Sequence, residues 1–421
     1  MPPEDGQKGL REVDVTIVLP CLNEAKTLPA SIATAMDALA VLRERHGLGG
    51  EVVVSDNGST DGSQAVAERL GARVVHCIRR GYGAALTHGV LQAGGRYIVM
   101  GDADGSYDFR EAVPMVEKLR EGWDLCMGSR FKGEIKPGAM PWKNRRIGNP
   151  ALTGLLNLFF RSGLSDAHSG LRAFTKAAFL RINPTSQGME FASELVIKAT
   201  LLGLTRTEVP ITLYPDGRDR APHLRPWRDG WRHLRYLVML SPAWLYFAPA
   251  LALGALAAII LGLVLLAPAG GVATVGRFWL GDHWAVLAGA FLAIAHQTVI
   301  MGLAVTLYGA REGYRIMTPA LRGVYWATRL EHMLVMGVAL VAAGLGVLAY
   351  VVLVWRTLGY GNLQMIREMV VASALIVIGL QTAFGGFLLS VIGGNEARLD
   401  SAIARFSSAD SEATRHAATN R

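Results

Sequence analysis

The chain has 421 residues, 51% of them hydrophobic and 18% charged, and its 42 basic residues outnumber 34 acidic ones for a net charge of +8. This length calls for more than one folding unit, and a charged share below the roughly 25% usual in soluble domains excludes a wholly soluble or disordered chain. Three cysteines, Cys21, Cys77 and Cys126, are too few and too scattered for a disulfide framework or a zinc site, and they suit a reducing compartment.

Residues 1–13 are polar and mixed in charge. No apolar stretch follows a basic start, so no secretory signal peptide is expected, and this end is read as a flexible N-terminus. Residues 14–222 read as an α/β domain. Residues 16–20 (TIVLP) form a β-branched run that stops at Pro20, as a buried strand does. Residues 27–46 place Leu28, Ile32, Ala35, Leu39 and Leu42 at helical spacing. Residues 51–55 (EVVVS) predict a second strand that ends in the turn and cap cluster Asp56-Asn57-Gly58-Ser59-Thr60-Asp61-Gly62. Residues 73–76 and 97–101 (YIVMG) predict two more strands, with helical stretches between. Alternating apolar strands and helices predict a mostly parallel sheet with helices on both faces.

Ligands of such sheets bind beyond the carboxyl ends of the strands. Asn23 and Glu24 fall there after the first strand, Asp56 after the second, and Asp102 and Asp104 after the fourth. Two carboxylates two residues apart can hold one divalent cation, and oxygen ligands with few protein donors suit Mg²⁺ or Mn²⁺ shared with a diphosphate. A capped turn is the other reading of Asp102-Ala103-Asp104. Asp56 either accepts from the N–H edge of a base or caps its turn, and Asp61 is read as a cap. Glu24 also suits the first turn of a helix. Gly81-Tyr82-Gly83 leads into a helix, so its N–H groups either approach a phosphate or allow close packing against the sheet. Glu190 and Glu194 share a helix face, facing either sugar hydroxyls or solvent. Residues 151–160 (ALTGLLNLFF) are too short to span a bilayer and either dip into a leaflet or join the core.

Residues 223–241 predict an amphipathic interfacial helix. Trp227, Trp231, Leu234 and Val238 recur at helical spacing beside Arg225, Arg228, Arg232 and Arg235, a pattern that suits the surface of an anionic bilayer. Four uncharged stretches follow within a membrane domain over 242–394, at 243–267, 284–308, 333–355 and 370–392, each long enough to cross a hydrocarbon core. Arg311, Arg315, Arg322 and Arg329 lie between the second and third stretches, and Arg398, Arg405, Arg415 and Arg421 in the tail. The opposite loops carry only Arg277, and Arg356 with Arg367. This bias puts the N-terminal domain, the middle loop and the tail on the cytoplasmic side of the cytoplasmic membrane. Residues 395–421 read as a disordered cytosolic tail. His296 and Gln297 are read as helix–helix hydrogen-bonding groups, and Gly344/Gly346 and Gly385/Gly386 as close-packing sites.

Six motifs occur in order: Leu19-Pro20-Cys21-Leu22-Asn23-Glu24, Ser55-Asp56-Asn57-Gly58-Ser59-Thr60-Asp61-Gly62, Gly81-Tyr82-Gly83-Ala84-Ala85, Gly101-Asp102-Ala103-Asp104, Gly128-Ser129-Arg130 and Asp166-Ala167-His168-Ser169-Gly170-Leu171-Arg172. The series resembles the inverting family-2 glycosyltransferases, in particular the dolichol-phosphate mannose and glucose synthases and their bacterial polyprenyl-phosphate relatives. The resemblance implies a GT-A-type, Rossmann-like fold followed by a four-helix transmembrane bundle. It implies transfer of a single hexose, glucose or mannose, from UDP or GDP to an undecaprenyl or dolichyl phosphate on the cytosolic leaflet, with inversion. By the same resemblance Pro20, Asn23, Glu24, Asp56 and Asp102 lie on the nucleotide-sugar side, and Asp102 and Asp104 hold Mg²⁺ or Mn²⁺. Ser129, Arg130 and Arg172 meet the acceptor phosphate, joined by Arg218 and Arg220 on a basic loop after the last strand. Asp104, Arg130 and Arg172 are the implied catalytic residues. The Gln-x-x-Arg-Trp motif of processive polysaccharide synthases does not occur, which argues against a long glycan product. No nucleic-acid partner is expected, and a homo-oligomer is left open. An acceptor hydroxyl, as on diacylglycerol, would need a base such as Asp166 or Glu194. A non-catalytic nucleotide-sugar-binding membrane protein is the third reading.

Overall fold

The computed structural model describes residues 13–218, 226–267, 273–275 and 278–393. The expectations for residues 1–12, for Arg220 and Arg225 and for the tail from residue 394 lie outside these. The chain divides after Leu240 into two compact units.

The first unit opens with β1 (Val15–Cys21), α1 (Leu28–His46), β2 (Gly50–Asp56), α2 (Ser63–Arg69), β3 (Arg73–His76), α3 (Tyr82–Gln92), β4 (Tyr97–Met100) and α4 (Ala112–Arg120). It continues with β5 (Leu125–Ile135), α5 (Asn149–Phe160), β6 (Arg172–Thr175), α6 (Lys176–Ile182), α7 (Phe191–Leu201), β7 (Arg206–Leu213) and α8 (Pro226–Met239). Local chemistry sets several ends: α1 has Pro29 in its first turn and closes on Gly47 at φ 69°, a left-handed cap that glycine adopts without strain.

The seven strands form one sheet in the order β3-β2-β1-β4-β6-β5-β7. This is the expected mostly parallel sheet. Ile17, Leu19, Val52, Val54 and Val99 point into a core that also takes Leu28, Ile32 and Leu42 of α1 and Met115 and Val116 of α4. Their neighbours Val18, Val53, Ile98 and Met100 point the other way, into a core with Leu86 of α3, Phe179 of α6 and Leu195 of α7. The two-residue alternation of the strands therefore puts helices on both faces.

One strand breaks the pattern. β6 runs antiparallel to both neighbours, with Arg172 opposite Met100 of β4 and Met127 of β5. The segment leading into β6 therefore ends beside the carboxyl end of β4, where Asp102 and Asp104 follow.

The second unit consists of α9 (Ala248–Leu266), a short hairpin of β8 (Ala273–Val275) and β9 (Phe278–Leu280), α10 (Asp282–Arg311), α11 (Pro319–Ala327), α12 (Leu330–Thr357) and α13 (Ile366–Gly393). Among the described residues, four helices are long and apolar enough to cross a membrane: Ala243–Leu266, Asp282–Arg311, Leu330–Thr357 and Ile366–Gly393. The last three outrun the uncharged stretches because their helical hydrogen bonding continues through the charged residues at each end.

Helices α12 and α13 approach through glycine. A Cβ on Gly337 would lie 2.7 Å from the Gly379 carbonyl, and one on Gly344 would lie 2.8 Å from that of Ala372. Gly385 and Gly386 are similarly tight against Ile300 and Met333, whereas Gly346 faces open space and is not a packing site. His296 Nε2 and Thr382 Oγ1 lie 2.9 Å apart and join α10 to α13, the interhelical role expected of His296.

Candidate active site

The site grows from three loops at the carboxyl ends of β1, β2 and β4. After β1, Asn23 adopts φ 58°. Its side-chain oxygen accepts from the Thr60 N–H at 2.8 Å, and its own N–H donates to Ser59 Oγ at 2.9 Å. Asp61 accepts from the Ala25 N–H at 2.9 Å and from the Ser63 N–H at 3.0 Å. The loops after β1 and β2 are thus stitched into one wall. Pro20 pairs in register with Ser55 within it.

Asp56 is 2% exposed and faces inward. Its carboxylate accepts from the N–H groups of Gly58 and Ser59 and from Gln64 Nε2 at 2.9 Å. Burial opposes its charge, but these hydrogen bonds outweigh that and hold its pKa below the ordinary carboxylate value. Asn57 continues the wall: its amide donates to the carbonyls of Cys77 and Arg79 and accepts from the Gly81 N–H at 2.7 Å.

The glycine turn into α3 serves packing. The N–H groups of Gly83 and Ala84 donate to the Gln187 carbonyl at 2.9 and 3.3 Å. A Cβ on Gly81 would collide with that same carbonyl. Between the two readings of Gly81-Tyr82-Gly83, the structure supports close approach.

Tyr82 itself reaches the acidic pair. Its phenol donates to Asp102 Oδ1 at 2.9 Å. Burial and the adjacent Asp102 keep that phenol protonated far above its ordinary range, so it acts as a donor. Burial, reinforced by the Asp104 carboxylate, raises Asp102 to about 6. Asp104 is 7% exposed. Its Oδ1 accepts from the N–H and hydroxyl of Ser106, at 3.0 and 2.5 Å. Gly170 abuts the pair, and a Cβ there would lie 2.5 Å from Asp102 Oδ2. Tyr107 holds Gly170 by accepting its N–H at 2.8 Å.

Arg218 closes the acidic rim. Its Nε and Nη2 lie 2.8 and 2.7 Å from Glu24 Oε1, and its Nη1 lies 3.0 Å from Asp104 Oδ2. Glu24, Asp102, Asp104 and Arg218 are thus brought into one cluster. Among the described residues no three metal-ligating side chains converge. The donor set nevertheless fits a hard divalent cation. It offers two carboxylates, half-buried Asp102 and buried Asp104, that already attract a cationic guanidinium. Such an ion would complete its shell with substrate oxygens and water.

The other arginines are committed to internal partners. Arg130 forms a two-point pair with Asp166, Nε to Oδ2 at 2.7 Å and Nη2 to Oδ1 at 2.8 Å. Burial disfavours its charge, but Tyr107 and Asp166 outweigh that and keep it protonated. Arg172 is 1% exposed, and its guanidinium donates to the carbonyls of Ser169, Ala192 and Ala167. It is laid out as a strut between the loop before β6 and α7, which differs from the expected phosphate clamp. Ser129 is fully buried and bonds Ser165 Oγ at 2.7 Å. Glu194 is likewise internal, accepting from Thr185 and Ser186 and pairing with Lys198 at 2.6 Å.

Helix α8 has three faces. His233 and Leu237 are buried, Leu234 and Val238 are half-buried, and Trp231, Arg228, Arg235 and Met239 are exposed. Ser193 of α7 bridges His168 Nε2 at 3.0 Å and His233 Nδ1 at 2.7 Å, tying α8 to the loop before β6. A second exposed surface precedes α5, where Trp142 and Ile147 stand out at 66% and 57% exposed beside exposed Lys143, Arg145 and Arg146. Sequence reasoning missed it, although a tryptophan and three basic residues within five positions were the signal. On α5, Leu156 and Phe160 are core and Leu152, Leu155 and Phe159 pack against them, so the residues of this segment join the core, while Leu158 is exposed.

Comparison with known proteins follows from this geometry. The sequence profile of Glycosyl transferase family 2 matches residues 16–182, and that of the Glycosyltransferase family 2 C-terminal transmembrane region matches residues 303–393. The chain is 36% identical over 388 residues to the low-salt glycan biosynthesis hexosyltransferase Agl6 of Haloferax volcanii, covering 90% of this chain and 89% of that protein. It is 37% identical over 221 residues to glycosyltransferase AglJ of the same organism, covering 51% of this chain and 68% of that protein. A crystal structure of glucosyl-3-phosphoglycerate synthase from Mycobacterium tuberculosis, in complex with Mn²⁺, UDP and glucosyl-3-phosphoglycerate, matches with 24% identity and a TM-score of 0.40 over 54% of this chain and 78% of that one.

Proposed function

This chain belongs to glycosyl transferase family 2, and from that membership we propose that it transfers one hexose from a nucleotide-diphosphate sugar to the phosphate of a polyprenyl lipid, inverting the anomeric carbon. It is an integral membrane glycosyltransferase with a soluble catalytic domain. The observation that carries the proposal is the acidic cluster of Glu24, Asp102 and Asp104 at the strand ends, capped by Arg218. The hexosyltransferase relative supports a hexose donor and a place in glycan biosynthesis.

In this reading the wall built by Asn23, Asp56 and Asp61 receives the nucleotide. Asp102 and Asp104 hold Mg²⁺ or Mn²⁺, which when bound supplies Lewis-acid neutralisation of the leaving diphosphate. Tyr82 and Ser106 fix the two carboxylates, and Gly170 leaves them room. The acceptor phosphate is already an anion, so no side chain need take a proton. Its oxygen forms the bond to the anomeric carbon as the bond to the diphosphate breaks, and a single displacement turns an α-linked donor into a β-linked product. Arg130 and Arg172 position the walls from within. Arg218 meets the acceptor phosphate, for which its fork of donors is suited.

A hydroxyl acceptor is less well supported. It would need a base, and both candidates are buried in ion pairs, Asp166 with Arg130 and Glu194 with Lys198. Arginine excess on alternate loops supports a catalytic domain on the cytoplasmic side. The basic, tryptophan-bearing surfaces at residues 142–147 and on α8 suit anionic headgroups.

Membranes carrying the protein, given radiolabelled UDP- or GDP-glucose or -mannose with polyprenyl phosphate and Mn²⁺, should form an acid-labile lipid-linked sugar. Asp104→Asn should reduce that transfer by about 10²-fold or more. An alkali-stable glycolipid, or full transfer by the variant, would overturn the assignment.

A further inference from the structure

Arg218 sits between two acids of the cluster. It lies just past β7, on a segment held by two backbone bonds, Tyr214 N–H to the Ser106 carbonyl at 2.9 Å and Gly217 N–H to the Asp104 carbonyl at 3.0 Å. These bonds aim its side chain, 16% exposed, between carboxylates from two other loops. Two of its nitrogens take one oxygen of Glu24, and the third takes Oδ2 of Asp104. Asp104 Oδ1 is already held by Ser106, so Oδ2 is the oxygen Asp104 has left to give. A divalent ion on that oxygen and a guanidinium on the same oxygen are like charges in van der Waals contact, and they exclude one another.

We propose that Arg218 is a built-in stand-in for the divalent cation: its guanidinium neutralises Glu24 and Asp104, and cation binding expels it from Asp104 and frees it for the acceptor phosphate. The inference rests on the reading of Asp102 and Asp104 as cation ligands and adds an order to it. The acceptor site becomes complete only after donor and cation have entered. Arginine suits the task because its planar fork spans two carboxylates at once, which an ammonium does less well.

The test uses the full-length chain in nanodiscs and Mn²⁺ as the probe, with free Mn²⁺ followed by electron paramagnetic resonance, with and without UDP. Arg218→Gln should bind Mn²⁺ about tenfold more tightly than the parent protein, since one charge-assisted contact to the cation's ligand is gone. Mn²⁺ should also raise the unfolding temperature of the variant by more than it raises that of the parent. Arg218→Lys should fall between the two. Equal Mn²⁺ affinity and equal thermal shifts in parent and variant would make Arg218 a fixed strut and overturn the proposal. Absence of Mn²⁺ binding by parent and variant alike, even with UDP, would instead remove the cation assignment on which it rests.

Discussion

Tyr82, the first residue of α3, donates its phenol to Asp102 at the end of β4 across a 2.9 Å hydrogen bond. The bond fixes the orientation of a carboxylate proposed to hold a cation, and groups that orient ligands in this way typically contribute 10–100-fold to affinity or activity. Tyr82→Phe should therefore lower Mn²⁺-dependent transfer by about tenfold while circular dichroism stays unchanged. A variant as active as the parent at limiting Mn²⁺ would show that Asp102 needs no such partner.

The Arg130–Asp166 pair is buried on both sides, with side chains 9% and 0% exposed. Removing one charge leaves the other stranded, which costs about 3–5 kcal/mol in buried pairs. Asp166→Asn should therefore shift urea unfolding of the catalytic unit by a large step. Midpoints within experimental error of the parent would place the pair in water.

Under the proposed function, the exposed surface at residues 142–147 bears on the lipid acceptor. Each basic residue near an anionic membrane contributes about 1 kcal/mol. Replacing Arg145 and Arg146 by Gln should raise the apparent KM for polyprenyl phosphate in anionic nanodiscs several-fold, with KM for the nucleotide sugar unchanged. An equal change in both constants would mean that the pair acts on the donor side.

Burial pushes the His168 imidazole well below its ordinary value, and His233, Arg172 and Arg130 add to the effect. The group's folded pKa is depressed, so its stability contribution is full above the unfolded value of about 6.5. As pH falls below that, the unfolded chain takes up a proton that the folded chain refuses, and stability drops by up to about 1.4 kcal/mol per pH unit. His168→Asn should flatten the decline in unfolding midpoint between pH 7 and pH 5. Parallel declines in parent and variant would assign the acid sensitivity to other groups.

The first four strands were legible because each is a short apolar run that ends near turn-forming residues, and the acids at the ends of β1, β2 and β4 follow directly in sequence. Strand β6 was not. Arg-Ala-Phe-Thr carries no alternation of its own, and its antiparallel direction is set by pairing with β4 and β5 rather than by local pattern. The same limit applies to Arg172 and Arg130. Sequence marks them as basic residues near a motif, but their partners are backbone carbonyls and Asp166, fixed only by tertiary packing. The glycines at 81 and 83 were visible as a need for space, but the occupant of that space, the 186–188 backbone, was not. In the membrane unit Gly344 and Gly346 look equivalent in sequence, yet they face different sides of α12, and only Gly344 touches a neighbour.

Glu24 and Arg218 are 194 residues apart along the chain. During synthesis the two anchoring carboxylates leave the ribosome long before the guanidinium that balances them, so a nascent chain halted ahead of β7 holds a half-built acidic pocket. Ribosome-bound chains that end before residue 214 should stay open to protease, and those long enough to carry Arg218 clear of the ribosome should become resistant. Maturation of the pocket is thus timed to the end of the catalytic unit, just before the first hydrophobic helix emerges to be inserted.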